Sequence, residues 1–84
     1  MENKMNTLED LVRIIRILRS ENGCPWDRVQ THASIRMDML EEAYEAADAI
    51  DKKDMKNLCE ELGDVLLQVV FHARMAEEEG LFTL

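Results

Sequence analysis

The chain has little of what interrupts regular structure: its 84 residues include one proline and three glycines. Hydrophobic residues make up 46% of it, which is typical of a folded helical chain and not of a disordered one. Strand patterns, internal repeats and low-complexity segments are absent from the sequence. A chain of this length forms one small domain with a marginal core, so we expect it to self-associate.

Long apolar runs are missing as well. No segment reaches the roughly 18 apolar residues that a membrane span requires, and Met1 to Lys4 lack the apolar region of a signal peptide. The two cysteines, Cys24 and Cys59, lie far apart and do not form the pairs typical of a zinc site. We therefore expect reduced thiols in a cytoplasmic protein that has no membrane partner.

Basic residues are in the minority: ten Lys and Arg stand against 18 Asp and Glu, and the formal net charge is −8. This excess of acidic residues argues against a surface that binds nucleic acid or anionic membranes. It does not exclude a nucleotide substrate, because a bound metal ion can invert the charge of a site.

Apolar residues at helical spacing predict three helices with short connections, and hence an all-α bundle. The helices are expected from the N-cap Thr7 to Asn22-Gly23, from between Thr31 and Ser34 to about Asp51, and from the N-cap Asp54 to about Glu79, before Gly80. Gly23 is suited to a left-handed position at the end of the first helix. Pro25 restricts Cys24 to an extended conformation.

Two apolar stripes predict the core. They consist of Ile35, Met39, Ala43, Ala46, Ala47 and Ile50 on the second helix, and Leu58, Leu62, Val65, Leu66, Val69, Val70 and Ala73 on the third. On the first helix, a further stripe consists of Leu11, Ile15 and Leu18. Apolar residues also lie outside these stripes: Leu67 and Phe71 on the third helix, and Ile14 and Ile17 on the first. A single helical hairpin cannot cover all these faces, which predicts at least a homodimer.

Two clusters of acidic residues indicate a metal site. Glu42 and Glu45 on the second helix, and Glu61 and Asp64 on the third, are three residues apart and share a helix face. A short connection makes the two helices antiparallel, so the clusters can lie opposite each other. Carboxylate oxygens that repel one another in this way suit a hard cation, Mg²⁺ or Mn²⁺.

Other interpretations of these acids are weaker. Runs of charge are usually solvated helix faces, but here the pattern occurs twice and beside apolar residues. A di-iron carboxylate bundle needs Glu-x-x-His, and no histidine follows any of these glutamates at that spacing. An EF-hand loop, with alternating acids around a central glycine, is not present either.

The segment from Gly23 to His32 has two interpretations. Trp26 either packs over the helix ends as a structural cap, or Trp26, Gln30 and His32 contact a nucleobase or ribose. Near the start of the third helix lie Lys52, Lys53 and Lys56, one of which is expected to neutralise a substrate phosphate, with Lys56 the chosen candidate.

These motifs together resemble the MazG family of nucleoside triphosphate pyrophosphohydrolases, over residues 8–84. Its Glu-Glu-x-x-Glu followed by Glu-x-x-Asp is present as Glu41, Glu42 and Glu45, then Glu61 and Asp64. The Gly-Cys-Pro-Trp-Asp-x-x-Gln-Thr-His segment is intact from Gly23 to His32, and residues 60–73 are also similar to the family.

The resemblance implies Mg²⁺-dependent hydrolysis of a nucleoside triphosphate to the monophosphate and pyrophosphate, by a dimer or higher assembly of helical bundles. By position, Glu42, Glu45, Glu61 and Asp64 would bind the metal, and Glu41 and Glu60 would support the ligands or orient water. We therefore expect residues 1–84 to form a single domain of this family, without the further helix and basic segment that the resemblance implies after the third helix. The alternative is a catalytically weak module of a larger protein that dimerises and binds nucleotide.

Overall fold

The computed structural model describes residues 7–84, so the N-terminal segment examined for a signal peptide lies outside the described residues. Within residues 7–84 there are four helices and no strand, which confirms the all-α class. The helices are α1 (Leu8–Leu18), α2 (Pro25–Arg28), α3 (Arg36–Asp51) and α4 (Met55–Glu78). The short α2 was not predicted. Pro25 occupies its first turn. The preceding residue, Cys24, is extended, as the sequence predicted. None of the described helices is long and apolar enough to cross a membrane.

The first helix begins as predicted and ends early. Thr7 is its N-cap, and its side chain and that of Asp10 form a reciprocal capping box. The helix ends at Leu18, because the chain then turns back on itself: the backbone N–H of Cys24 donates to the Leu18 carbonyl at 2.8 Å.

The predicted left-handed conformation of Gly23 is wrong, since the described glycine with a positive φ is Gly80, at 74°. Gly23 is required for a different reason. A Cβ at this position would lie 2.2 Å from the carbonyl oxygen of Ile17, a distance that no side chain tolerates.

Helix α3, which corresponds to the second predicted helix, begins later than predicted. Thr31 and Ser34 exchange backbone-to-side-chain hydrogen bonds in both directions, which forms a turn that competes with a helix start. Helix α4, which corresponds to the third predicted helix, begins at the predicted N-cap, where the Asp54 side chain accepts from the N–H of Asn57 at 3.2 Å. It ends before Gly80, as the sequence predicted.

The core lies where α1, the start of α3 and the C-terminal half of α4 meet. Its buried cluster is Ile15, Ile35, Val70, Phe71 and Met75. The predicted stripes are therefore partly wrong: Leu62, Leu66, Val69, Ala43, Ala47 and Ile50 are exposed, whereas Phe71 and Ala49 are buried.

The physical reason is helix length. Helix α1 has 11 residues and α4 has 24, so α1 covers about 16 Å of a helix that is about 36 Å long. Ion pairs of Arg16 with Glu77 and of Arg19 with Glu78 hold α1 at the C-terminal end of α4. The apolar stripe of the N-terminal half of α4 is left uncovered in the single chain.

Candidate metal centre

Three carboxylates converge from α3 and α4. The connection between these helices has three residues, so they pack antiparallel and bring Glu42 and Glu45 opposite Glu61. One oxygen from each of the three side chains lies within 4.8 Å of the others. Such a set of oxygens can surround one divalent cation.

The electrostatics of the cluster favour a cation. A hydrogen bond with Glu45 raises the pKa of Glu42 to about 7, and burial and the charges of Asp64, Glu45 and Glu61 add to this effect. Burial also raises the pKa of Glu61, aided by Glu45, Asp64 and Glu60. The Oε1 atom of Glu61 is buried without a hydrogen-bond partner. A divalent cation would satisfy this oxygen and relieve the repulsion, so the donor set fits such an ion.

The other predicted acids lie outside this converging set. Asp64 is exposed and lies outside the converging set, although its charge acts on both Glu42 and Glu61. Coordination by all four acids therefore requires Asp64 to change its rotamer. Glu60 is exposed and its charge acts on Glu61, whereas Glu41 is exposed on the neighbouring helix.

An open cavity of about 470 Å³ adjoins the cluster. Its lining residues are Tyr44, Glu45, Asp48, Asn57 and Glu61. Sequence reasoning missed Tyr44 and Asn57 as candidates. Helical spacing would have identified Asn57, because it lies four residues before Glu61 and therefore on the same helix face. Lys56, the predicted phosphate contact, lines a separate shallow cavity of about 230 Å³ with Asp54, Asn57 and Glu60.

The predicted base-contacting segment lies away from the cluster. Its His32 contacts His72, which follows Glu61 by eleven residues, or about 16 Å along α4. The interpretation of Trp26 as a packed cap is wrong, since this side chain is 78% exposed. Gln30 donates to the Trp26 carbonyl at 3.0 Å and accepts from Ser34 at 2.6 Å. The indole face is thus free, while the Gln30 amide is engaged locally.

Arg19 anchors this segment, and no sequence pattern predicts this role. Its guanidinium donates to the backbone carbonyls of Asp27 at 2.6 Å and Gln30 at 3.0 Å. It also donates twice to the Glu78 carboxylate, at 3.0 and 2.9 Å, and lies 5.4 Å from the centre of the Phe71 ring. These bonds fix the segment of residues 24–32 to the C-terminal end of α4.

An antiparallel helix pair whose carboxylates converge defines a class: all-α proteins with a candidate carboxylate metal centre. The family model of the MazG nucleotide pyrophosphohydrolase domain matches residues 30–84. The chain belongs to the MazG family.

Relatives with curated sequences support this assignment. The chain is 57% identical over 76 residues to a nucleoside triphosphate pyrophosphohydrolase/pyrophosphatase MazG of Thermotoga maritima, covering 90% of this chain and 30% of the relative. It is 54% identical over 79 residues to a nucleoside triphosphate pyrophosphohydrolase of Escherichia coli K12, covering 93% and 30%. The protein YabN of Bacillus subtilis is 58% identical over 71 residues, covering 84% and 14%. The chain thus spans 14 to 30% of the length of these relatives.

Proposed function

We propose that this chain is a Mg²⁺-dependent nucleoside triphosphate pyrophosphohydrolase domain, which hydrolyses NTP or dNTP to the monophosphate and pyrophosphate. The observation that carries the proposal is the convergence of Glu42, Glu45 and Glu61 within 4.8 Å, in a chain of the MazG family. Relatives named nucleoside triphosphate pyrophosphohydrolase support the same reaction.

In this proposal Glu42, Glu45 and Glu61 hold the cation, and Asp64 joins them after a rotamer change. When bound, the cation would supply positive charge for the phosphate oxygens and lower the pKa of a water molecule. Mg²⁺ fits better than a soft ion, because the ligands are all oxygen. Mn²⁺ is the expected substitute.

Glu41 and Glu60 are the proposed groups for handling water. Both are exposed glutamates that directly precede a proposed ligand, so their carboxylates are free to orient a water molecule or accept its proton. Attack at the α-phosphorus would release pyrophosphate, with no covalent protein nucleophile. Of the two, Glu41 is our first choice as the base.

The cavity of about 470 Å³ beside the cluster is the proposed site for the phosphates. Lys56, one residue before the cavity-lining Asn57, would offset phosphate charge. Trp26 offers an exposed aromatic face for a nucleobase, and Gln30 and His32 belong to the same segment. These contacts complete the proposed substrate site.

We further propose that the chain acts as a homodimer or higher assembly. Met55, Leu62, Leu66 and Val69 form an exposed apolar stripe along α4, called the α4 stripe below. Its first three residues lie on the part of α4 that α1 does not reach, whereas Val69 is level with the α1 contact at Val70. A second copy would cover the stripe. No nucleic-acid or membrane partner is proposed, and the cytoplasm is the proposed location.

The direct experiment measures pyrophosphate release from a mixture of canonical and damaged nucleoside triphosphates, with and without Mg²⁺. Release that requires Mg²⁺ supports the proposal, and the preferred triphosphate identifies the substrate. Nucleotide binding without turnover would instead favour the alternative, a catalytically weak dimerisation and nucleotide-binding module.

The choice of cation gives one prediction. Mg²⁺ and Mn²⁺ are expected to support turnover, whereas Ca²⁺ is expected to bind and support little. The looser coordination of Ca²⁺ holds phosphate and water less strictly than that of Mg²⁺. Calorimetric titration of each metal, paired with the pyrophosphate assay, checks this. Tight zinc binding through Cys24 or Cys59 without a Mg²⁺ response would contradict it.

The pH dependence of metal binding gives another prediction. The pKa of Glu42 is about 7, and the cation needs the carboxylate form. Lowering the pH from about 8 to about 6 should weaken Mg²⁺ binding by about tenfold, with protons released on binding. Calorimetry in buffers of different ionisation heat measures this release. The variant Glu42→Gln should release fewer protons, and a wild-type affinity that does not change with pH would refute the prediction.

The Glu42 carboxyl group also determines whether the stability of the metal-free chain rises or falls with pH. The folded pKa of Glu42 lies above its ordinary value of 4.5, so between 4.5 and about 7 the folded chain binds more protons than the unfolded chain. Without metal, the contribution of Glu42 to stability therefore falls as the pH rises through this window.

A further inference from the structure

The two histidines of the chain, 40 residues apart, form a hydrogen-bonded pair. The Nδ1 atom of His32 lies 2.6 Å from the Nδ1 atom of His72. The ring centres are 4.9 Å apart and the ring planes differ by 14°. An imidazole atom lies about 1.2 Å from its ring centre, as ring bonds of about 1.3–1.4 Å require. Both nitrogens must therefore lie close to the line between the centres, so the rings meet edge to edge and not face to face.

This geometry suits a proton and not a metal ion. Two nearly coplanar rings whose Nδ1 atoms point at each other form a linear N–H···N hydrogen bond. Two nitrogen ligands of one tetrahedral ion, each about 2.0–2.1 Å from it, would have to be separated by about 3.3 Å and directed to a point off this line. The pair therefore shares one Nδ1 proton: one ring donates it and the other accepts.

The proton count sets the behaviour of the pair with pH. With both rings neutral, one proton lies between the Nδ1 atoms. A first added proton goes to the free Nε2 of the donor ring, and the charged donor strengthens the bond. A second added proton must occupy the accepting Nδ1. Two imidazolium rings then face each other with N–H groups, and the bond is lost.

The surroundings of His72 oppose that charged state. Burial lowers the pKa of His72 and the charge of His32 lowers it further, and the Nε2 atom of His72 is buried without a partner. The charged residues around this end of α4 are Arg16 of α1 and its C-cap Arg19, Asp27 of α2, Asp38 of α3, and Arg74, Glu77 and Glu78 of α4 itself. Among the described residues, His32 is the one whose charge shifts the pKa of His72.

We propose that His72 is a positioning residue. Through the shared Nδ1 proton it holds His32 against α4, and with His32 the end of the segment that carries Trp26 and Gln30. It releases that end when both rings are protonated. The part of this inference that concerns substrate rests on the proposed function. The other anchor of the segment, Arg19, stays charged at every pH of interest and holds the Asp27 and Gln30 carbonyls. Acid therefore frees the His32 end alone, with the Arg19 end fixed.

The first test is NMR of the metal-free and nucleotide-free chain. Near pH 7.5 we expect one protonated and one bare Nδ1 in the ¹⁵N spectrum of the rings. Acidification should protonate His72 only below the ordinary imidazole pKa, because burial lowers the pKa of His72, and the signal of the shared proton should then be lost. Backbone signals of residues 31–34 should move in parallel. Two rings that titrate independently, without movement of these signals, would overturn the proposal.

Two variants separate positioning from simple packing. His72→Phe keeps an aromatic ring and removes the hydrogen bond, whereas His72→Asn keeps a group near the Nδ1 position that does not titrate. At pH 7.5 we expect His72→Phe to raise the KM for the nucleoside triphosphate about tenfold and to lower kcat less, and His72→Asn to stay within about threefold of wild-type KM. At saturating Mg²⁺, the wild-type KM should approach that of His72→Phe as the pH falls through the range in which His72 becomes protonated, while the KM of His72→Asn should change less.

Equal KM values for wild type and His72→Phe throughout this range would refute the positioning role. The outcomes also separate the two proposals. A chain without turnover in any variant refutes the proposed function, while the NMR titration still decides for or against the histidine pair.

Discussion

Glu61→Gln should reduce Mg²⁺-dependent pyrophosphate release by more than about 100-fold and leave the helical content unchanged. Glu61 is the acid that α4 contributes to the converging set, and its Oε1 atom has no other partner. Residues that only support a metal ligand are commonly worth 10- to 100-fold, so the loss of a ligand should cost at least as much. The measurement is the pyrophosphate assay across a Mg²⁺ titration, with circular dichroism as the check on folding.

The same substitution should raise the melting temperature of the metal-free chain. Burial and neighbouring carboxylates raise the pKa of Glu61, so its charged form is disfavoured in the folded state. A neutral amide removes this repulsion, and it also removes the stabilisation by added Mg²⁺.

The matched control is Glu79→Gln, an exposed glutamate at the end of α4 outside the acidic cluster. It should leave turnover and the response to Mg²⁺ at wild-type levels. Full activity of Glu61→Gln would remove this residue from the site, and with it the observation on which the proposed function depends.

Leu66→Glu should convert a dimer into a monomer. Leu66 lies in the middle of the α4 stripe, between Leu62 and Val69, and all three are exposed in the single chain. A carboxylate buried there without a partner costs about 3–5 kcal/mol, so the dissociation constant should rise by more than about 100-fold. Sedimentation at low micromolar concentration measures the change. The wild-type melting temperature should rise with protein concentration, and that of the variant should not.

Met37→Glu provides the control for this experiment. Met37 is also exposed, but it lies nine residues before the buried Ala46 and therefore on the opposite side of α3. It should leave the association state unchanged. A wild-type chain that sediments as a well-folded monomer at all concentrations would refute the dimer proposal and would make a complete active site in this chain doubtful.

The two substitutions act on different faces of one helix. Leu66 follows Glu61 by five residues, or about 140° around the helix axis. Glu61→Gln should therefore leave self-association unchanged. If it alters the sedimentation of the metal-free chain, the carboxylate cluster and the α4 stripe are coupled through the interface.

The sequence by itself determined what depends on neighbours within a few residues. Thr7 and Asp54 were predicted as N-caps because a side-chain oxygen there can reach a backbone N–H three residues on. The spacing of Glu42 and Glu45 was predicted to place both on one helix face, and the short connection after Asp51 to bring Glu61 opposite them. The family was predicted on the same local patterns, and the family match confirms it.

Only the tertiary structure decided what depends on distant parts of the chain. The length of α1 determined that Phe71 is buried and Leu66 exposed, although the periodicity of α4 favoured the reverse. The close approach to the Ile17 carbonyl, not a left-handed turn, explains Gly23. The His32–His72 pair joins positions 40 residues apart, and no local pattern connects them. Helical spacing fixes which residues share a face, but which faces meet depends on how the helices pack.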